Sequence, residues 1–281
     1  MDSPILDRRT ALLAAILAPL AAQRAAAQGV PLPAGADQLS NHDMSTMPAD
    51  WTRPDVIAML CYPKMTILDL IGPQYMFAGL MGATVHLVGK TRDPITSDTG
   101  VTILPTITFD ECPKDLTVLF IPGGAEGTLA AMADKATRDF VADRGSRAKY
   151  VTSVCTGSLV LGAAGLLKGY RATSHWASLE NLPDVGAIKV AERVVRDRNR
   201  ITGAGVTSGL DFGLTMVAEL RDEFYAKGIQ LMCEYDPDPP FNSGSIKTAP
   251  PEVAAMIGGM FKPFPGMVRE TLKMIAASGK G

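Results

Sequence analysis

No two of the four cysteines, Cys61, Cys112, Cys155 and Cys233, are spaced as CxxC, and the three histidines are scattered. The chain therefore offers no Cys/His set of the kind that holds zinc. Neither sign of charge is in excess: 27 Lys and Arg face 29 Asp and Glu, a formal net charge of −2. A nucleic-acid surface would need a basic surplus, and a disordered tail a block of like charges. There is no internal repeat, and no apolar run reaches the roughly 20 residues that cross a bilayer. What is there is 281 residues, 47% hydrophobic and 20% charged, enough for one large domain with its own core.

The stretch "LDRRTALLAAILAPLAAQRAAAQG" stands apart from that domain. Twin arginines Arg8 and Arg9 precede an apolar run from Thr10 to Ala22, and the small residues Ala25, Ala26 and Ala27 follow. This is the layout of a removable export signal over residues 1–27, of the twin-arginine type, and it predicts a periplasmic protein with no membrane association once the signal is removed. Asp7 stands where a Ser or Thr usually precedes the arginines, which keeps a Sec-type signal as the alternative. Cleavage after Ala27 removes three arginines and two aspartates and leaves a net charge of −3. Residues 28–54, rich in Pro, Gly, Ser and Asp, read as a linker or surface wrap. A globular domain is expected over 55–250, with a helical segment, 251–281, packing on it.

From Asp55 onward strands and helices alternate. "DVIAMLCY", "TVHLVGK", "LTVLFIPGG" and "YVTSVC" read as strands, the first, third and fourth buried, and short strands are expected around Gly100. "TILDLIGPQYMFAGL" reads as a helix interrupted at Gly72-Pro73, and residues 127–148 as helical with charges outside. "VVRDRNRITGAG" reads as a hairpin turning near Asp197–Asn199, and "GLDFGLTMVAELRDEF" as an amphipathic helix. Such alternation predicts an α/β domain with a mostly parallel sheet covered on both faces.

In such sheets ligands bind at the carboxyl ends of the strands. "YVTSVCTGSLVLGAAG" puts Cys155 there, at the corner between a β-branched strand and a helix. A sharp strand-to-helix turn presents a nucleophile over the sheet. The helix N-terminus is expected to lower the thiol pKa and favour the thiolate. The plainer reading is a buried, inert cysteine, which is the expectation for Cys61; Cys112 and Cys233 read as structural or incidental. "IPGG" ends another strand in Gly123-Gly124, where the backbone N–H of Gly124, with that of Thr156, would form an anion hole. "LDLIGP" sets Asp69 among Leu68, Leu70 and Ile71, flanks expected to desolvate it, raise its pKa and suit it to general acid work. A helix-capping role for Asp69 fits the same residues. His175, in "RATSHW", either approaches the cysteine or packs beside Trp176; His86 and His42 read as structural or exposed.

These segments, with "ERVVRDRNRITGAGVTSGLDFGLT" and "EYDPDPPFNSGS", resemble the isonitrile hydratases of the ThiJ/PfpI superfamily, itself similar to class I glutamine amidotransferase domains. The likeness runs from about Asp55 to about Pro250. It implies a flavodoxin-like α/β sandwich, commonly a homodimer, that hydrates an isonitrile with water to an N-substituted formamide and needs no cofactor or metal. By that likeness Cys155 is the nucleophile, Asp69 the acid that protonates the isonitrile carbon and then activates water, and Thr156 the threonine beside the nucleophile. Protease-like and glyoxalase-like relatives often carry His after the cysteine and Glu in place of Asp69. Two other readings remain: another cysteine enzyme of the superfamily, an amidase or glyoxalase-type lyase, and a non-catalytic binding or sensor domain.

Overall fold

β1 (Val56–Leu60), β6 (Val118–Ile121) and β7 (Tyr150–Val154) are almost wholly buried, as strands sandwiched between two layers of helices must be. The computed structural model from which the fold is described covers residues 48–278; the leader 1–27 and the linker up to residue 47 lie outside the described residues.

Between β1 and β6 the chain runs through α1 (Ile67–Ala78), β2 (Thr84–Gly89), the hairpin of β3 (Ile95–Thr96) and β4 (Thr102–Ile103), and β5 (Ile107–Thr108). α2 (Ala125–Ala133) and α3 (Lys135–Arg147) lead to β7, which feeds the short α4 (Gly157–Ala163). β8 (Arg171–Ala172) and β9 (Ile188–Lys189) form a small side sheet. β10 (Val194–Asp197) and β11 (Arg200–Gly203) follow, then α5 (Ser208–Leu220), α6 (Glu223–Met232), α7 (Pro251–Phe261) and α8 (Phe264–Ser278).

The main sheet has the order β10-β11-β7-β6-β1-β2-β5, and every pair is parallel except β10 with β11. One face carries α1, α5 and α6, the other α2, α3 and α4, the flavodoxin-like sandwich that the resemblance implies. β1 and β6 are neighbours in space but not in sequence, and winding proceeds outward from them in both directions. The crevice at their carboxyl ends is where such sheets bind ligands. Phe77, Phe120 and Phe212, all fully buried, meet beneath it with ring centroids 5.5–6.4 Å apart.

Three boundaries depart from the sequence reading. α1 continues through Pro73 instead of breaking there. Pro73 follows Gly72, the residue least restricted by a following proline, and its ring packs against Gly209 of α5, where an added Cβ would lie 3.2 Å from Pro73 Cδ. The helical stretch 127–148 is two helices divided at Asp134, whose carboxylate accepts the Thr137 N–H at 3.0 Å and starts α3. The amphipathic helix stops at Leu220, because Asp222 caps α6 by accepting the Tyr225 N–H at 2.8 Å. Between the two, the buried Arg221 pairs with buried Asp55 at 2.5 Å and donates to the carbonyls of Trp51, Arg53 and Met81. That clamp fastens the chain entering β1.

Candidate active site

β1, β6 and β7 deliver their following residues to one crevice: Asp69 from the first turn of α1, Gly123-Gly124 after β6, and Cys155 after β7. Cys155 has φ 59°, a left-handed conformation in which a non-glycine residue is strained. Its N–H is held by the carbonyls of Gly203 and Ala204 at 3.1 and 2.7 Å. Its own carbonyl accepts the hydroxyls of Ser158 and Ser174 at 3.2 and 3.1 Å. The turn closes only because Gly157 is there: a Cβ would sit 2.3 Å from the Ile121 carbonyl oxygen.

Asp69 is completely buried. Its Oδ2 accepts the Gly123 N–H at 3.0 Å, while Oδ1 is buried with no hydrogen-bond partner within the protein. Gly123 is as confined as Gly157, since a Cβ there would lie 2.6 Å from the Thr156 nitrogen and 2.8 Å from Asp69 Oδ2. Burial pushes the Asp69 carboxyl up to about 7, against the opposing pull of the Gly123 N–H and the Cys155 side chain. The direction is the one read from the sequence, but the cause is not. Of the three flanks only Leu70 is buried, while Leu68 and Ile71 are partly exposed on the outer side of α1; neighbours in sequence are not neighbours on a helix. The groups that meet the carboxylate come from elsewhere in the chain, the Gly123 N–H after β6 and the Cys155 side chain after β7.

The expectation for the sulfur is corrected. Burial, and next the negative field of Asp69, hold the Cys155 thiol well above its ordinary range; the N–H groups of Thr156 and Val206 pull it down by less. α4 is a seven-residue helix, and its dipole does not offset the loss of water around the sulfur. At neutral pH the resting site therefore holds a thiol beside a carboxyl that is about half ionised.

The anion hole also differs. The Gly124 N–H is not free, because it donates to Thr156 Oγ1 at 3.0 Å. Thr156 Oγ1 meets Thr128 Oγ1 at 2.7 Å, Thr128 meets the Tyr62 hydroxyl at 3.3 Å, and Tyr62 donates to the Pro122 carbonyl at 2.6 Å. One direction of donation, Thr156 to Thr128 to Tyr62 to Pro122, satisfies all three hydroxyls. The backbone N–H groups that face the sulfur are those of Thr156 and Val206.

The crevice above the sulfur is a pocket of about 400 Å³. Lys64, Asp98 and Glu126 line one side, and His175, Phe261 and Phe264 the other. Among the described residues there is no cluster of three or more His, Cys, Asp and Glu side chains that would hold a metal ion.

A family model described as the DJ-1/PfpI family matches residues 55–219. The chain belongs to the DJ-1/PfpI family. An isonitrile hydratase from Pseudomonas putida is 52% identical over 197 residues, which is 70% of this chain and 86% of that protein. The crystal structure of a THiJ/PfpI family protein from Pseudomonas syringae, 57% identical, superposes with a TM-score of 0.79 over 87% of this chain and 98% of its own. DJ-1beta of Drosophila melanogaster, 19% identical, shares the fold with a TM-score of 0.58 over 65% of this chain and 98% of its own.

Within this DJ-1/PfpI domain, His175 does both things the sequence allowed. Its ring packs 5.3 Å from Trp176 and 5.4 Å from Phe261, and it also lines the pocket. Nδ1 accepts the Ala177 N–H at 3.3 Å, which puts the ring proton on Nε2, and burial lowers its pKa so that it is neutral at pH 7. Several residues escaped the sequence reading: Val206, held at φ 29°, the hydroxyls of Ser158 and Ser174, and the wall built by Phe261 and Phe264. Val206 lies in "GAGVTSG", where a β-branched residue flanked by glycines hints at a special backbone position. Phe261 and Phe264 carry no local signal, since they reach the pocket only through the packing of α8 on α2 and on the turn Trp176–Asn181. Cys61 is the inert core thiol expected of it, pushed up to about 12 by burial.

Proposed function

We propose that this chain is an enzyme that hydrates an isonitrile, R–NC, to an N-substituted formamide, with Cys155 as nucleophile and Asp69 as the proton carrier. The observation that carries the reading is the buried pair itself: a thiol against a fully buried carboxyl whose pKa is about 7. The 52% identity to an isonitrile hydratase supports the substrate class.

In this reading Asp69, as carboxylate, takes the thiol proton as sulfur bonds to the terminal isonitrile carbon, and returns it to that carbon to give an S-linked thioimidate. Asp69 then removes a proton from water as the oxygen adds to the same carbon, and passes it to the nitrogen, leaving the hydroxyl proton for the sulfur. The carbon–sulfur bond breaks, sulfur regains a proton, and the formamide leaves. Water supplies both hydrogens and the oxygen, so the step needs no redox partner. A group that alternates between acid and base within one cycle works best with a pKa near the operating pH, and burial supplies that value. The Thr156 and Val206 N–H groups stabilise charge on sulfur as it attacks and leaves. Phe261 and Phe264 provide an apolar wall for R. His175, neutral and with its proton on Nε2, stands as an auxiliary donor toward the added oxygen.

Steady-state turnover of the purified protein with cyclohexyl isocyanide and with methylglyoxal tests the reading. Formamide from the first and little turnover of the second is expected. The reverse pattern favours a glyoxalase-type activity, and inertness toward both a binding domain.

A further inference from the structure

A second cavity opens on the other side of α2. It encloses about 430 Å³, as much as the crevice over Cys155, and lies toward the carboxyl ends of β1 and β2. Its walls are apolar: Cys61 and Tyr62 from the end of β1, Ile95, Phe109, and Ala130 and Ala131 of α2. Of the charges at its mouth, Lys90 and Asp134 neutralise each other, and Asp93, held by a neutral hydroxyl, leaves a net charge of −1 among the lining residues. Lys90 pairs with Asp134 at 3.0 Å, Asp134 also holds Thr137, and Asp93 accepts the Thr91 hydroxyl at 2.8 Å. The volume falls within the range of small-molecule sites.

We infer that this cavity is a second ligand site, for a neutral ring-bearing molecule, and that it is coupled to the nucleophile through Tyr62. A mouth with one carboxylate in excess turns anions away, and the apolar walls favour an uncharged aromatic or alicyclic ring over a hydrated cation. Tyr62 is the link. Its ring lines this cavity while its hydroxyl heads the chain through Thr128 to Thr156, the residue after Cys155. The same hydroxyl binds the carbonyl of Pro122, next to the Gly123 whose N–H holds Asp69. A ring seated against Tyr62 biases the position of both ends of that network. The inference holds whatever reaction Cys155 performs.

The probe is 4-fluorobenzyl alcohol, followed by fluorine NMR on the whole protein. Saturable binding is expected, with affinity about tenfold weaker in Ala130→Trp, which fills the cavity from an exposed position of α2. Binding should persist after Cys155 is alkylated, and the probe should change the rate of Cys155 alkylation by iodoacetamide in the native protein. That rate effect should vanish in Tyr62→Phe, which keeps the ring and removes the hydroxyl. Absence of saturable binding, equal binding by Ala130→Trp, or loss of binding on alkylation of Cys155 would overturn the site. An alkylation rate indifferent to the probe would overturn the coupling.

Discussion

Asp69 holds a proton in the folded protein that the unfolded chain releases, because burial raises its carboxyl to about 7 from an ordinary value near 4. The native state binds more protons between those two values, so stability falls as pH rises through that window. Each tenfold in the proton equilibrium is worth about 1.4 kcal/mol, so the loss amounts to several kcal/mol. Asp69→Asn removes the titration while its carbonyl keeps the Gly123 N–H. Urea unfolding at pH 5 and pH 8 should therefore show a smaller drop in the variant than in the native protein; equal drops would mean that Asp69 is not the buried acid described here. At this scale the sequence identified the residue types and the corner but not their environment. Cys155 was legible from its place at the corner between a β-branched strand and a helix, and Asp69 as a carboxylate within an apolar stretch. The direction of the cysteine's pKa was not, since it depends first on burial made by the tertiary packing and next on a carboxylate that lies 86 positions away in the chain and meets it only across β6.

Elements were read well where periodicity decided them and poorly where a single side chain did. β1 and β6 followed from apolar runs, β7 from its β-branched residues Val151, Thr152 and Val154, and the β10–β11 hairpin from its turn at Asp197–Asn199. The ends of α3 and α6 depend on single capping aspartates, Asp134 and Asp222, inside patterns that otherwise continue. Pro73 passed as a helix breaker because its accommodation by Gly72 and Gly209 is a matter of packing between two helices. Arg221 is the element-scale residue to test. It terminates α5, and its guanidinium carries the only charge paired with Asp55 from across the fold among the described residues. Arg221→Ala leaves that carboxylate buried beside only the partly exposed Arg53. A loss of about 3–5 kcal/mol in urea unfolding is expected for breaking a buried pair from one side. A change within 0.5 kcal/mol, the ordinary range for surface substitutions, would contradict the clamp.

At the scale of the molecule, one face of α1 remains uncovered: Leu68, Ile71 and Tyr75 recur at helical spacing and are 37%, 45% and 47% exposed. This stripe supports the homodimer implied by the sequence resemblance. Sedimentation equilibrium should find a dimer that Ile71→Glu with Tyr75→Glu converts to monomer; a native monomer at micromolar concentration would contradict it. The leader belongs to the same scale. Protein isolated from its native host should begin after Ala27 by mass spectrometry, and an intact Met1 in the cytoplasm would contradict export.

If the buried Cys155–Asp69 pair hydrates isonitriles, turnover of cyclohexyl isocyanide must depend on the proton that Asp69 carries, and Asp69→Asn removes it. The amide keeps the shape of the carboxyl but carries no proton to give. Formamide production should fall by about two or more decades, while iodoacetamide still alkylates Cys155 and the folded circular dichroism is kept. Turnover near the native rate by Asp69→Asn would mean that Asp69 is not the proton carrier.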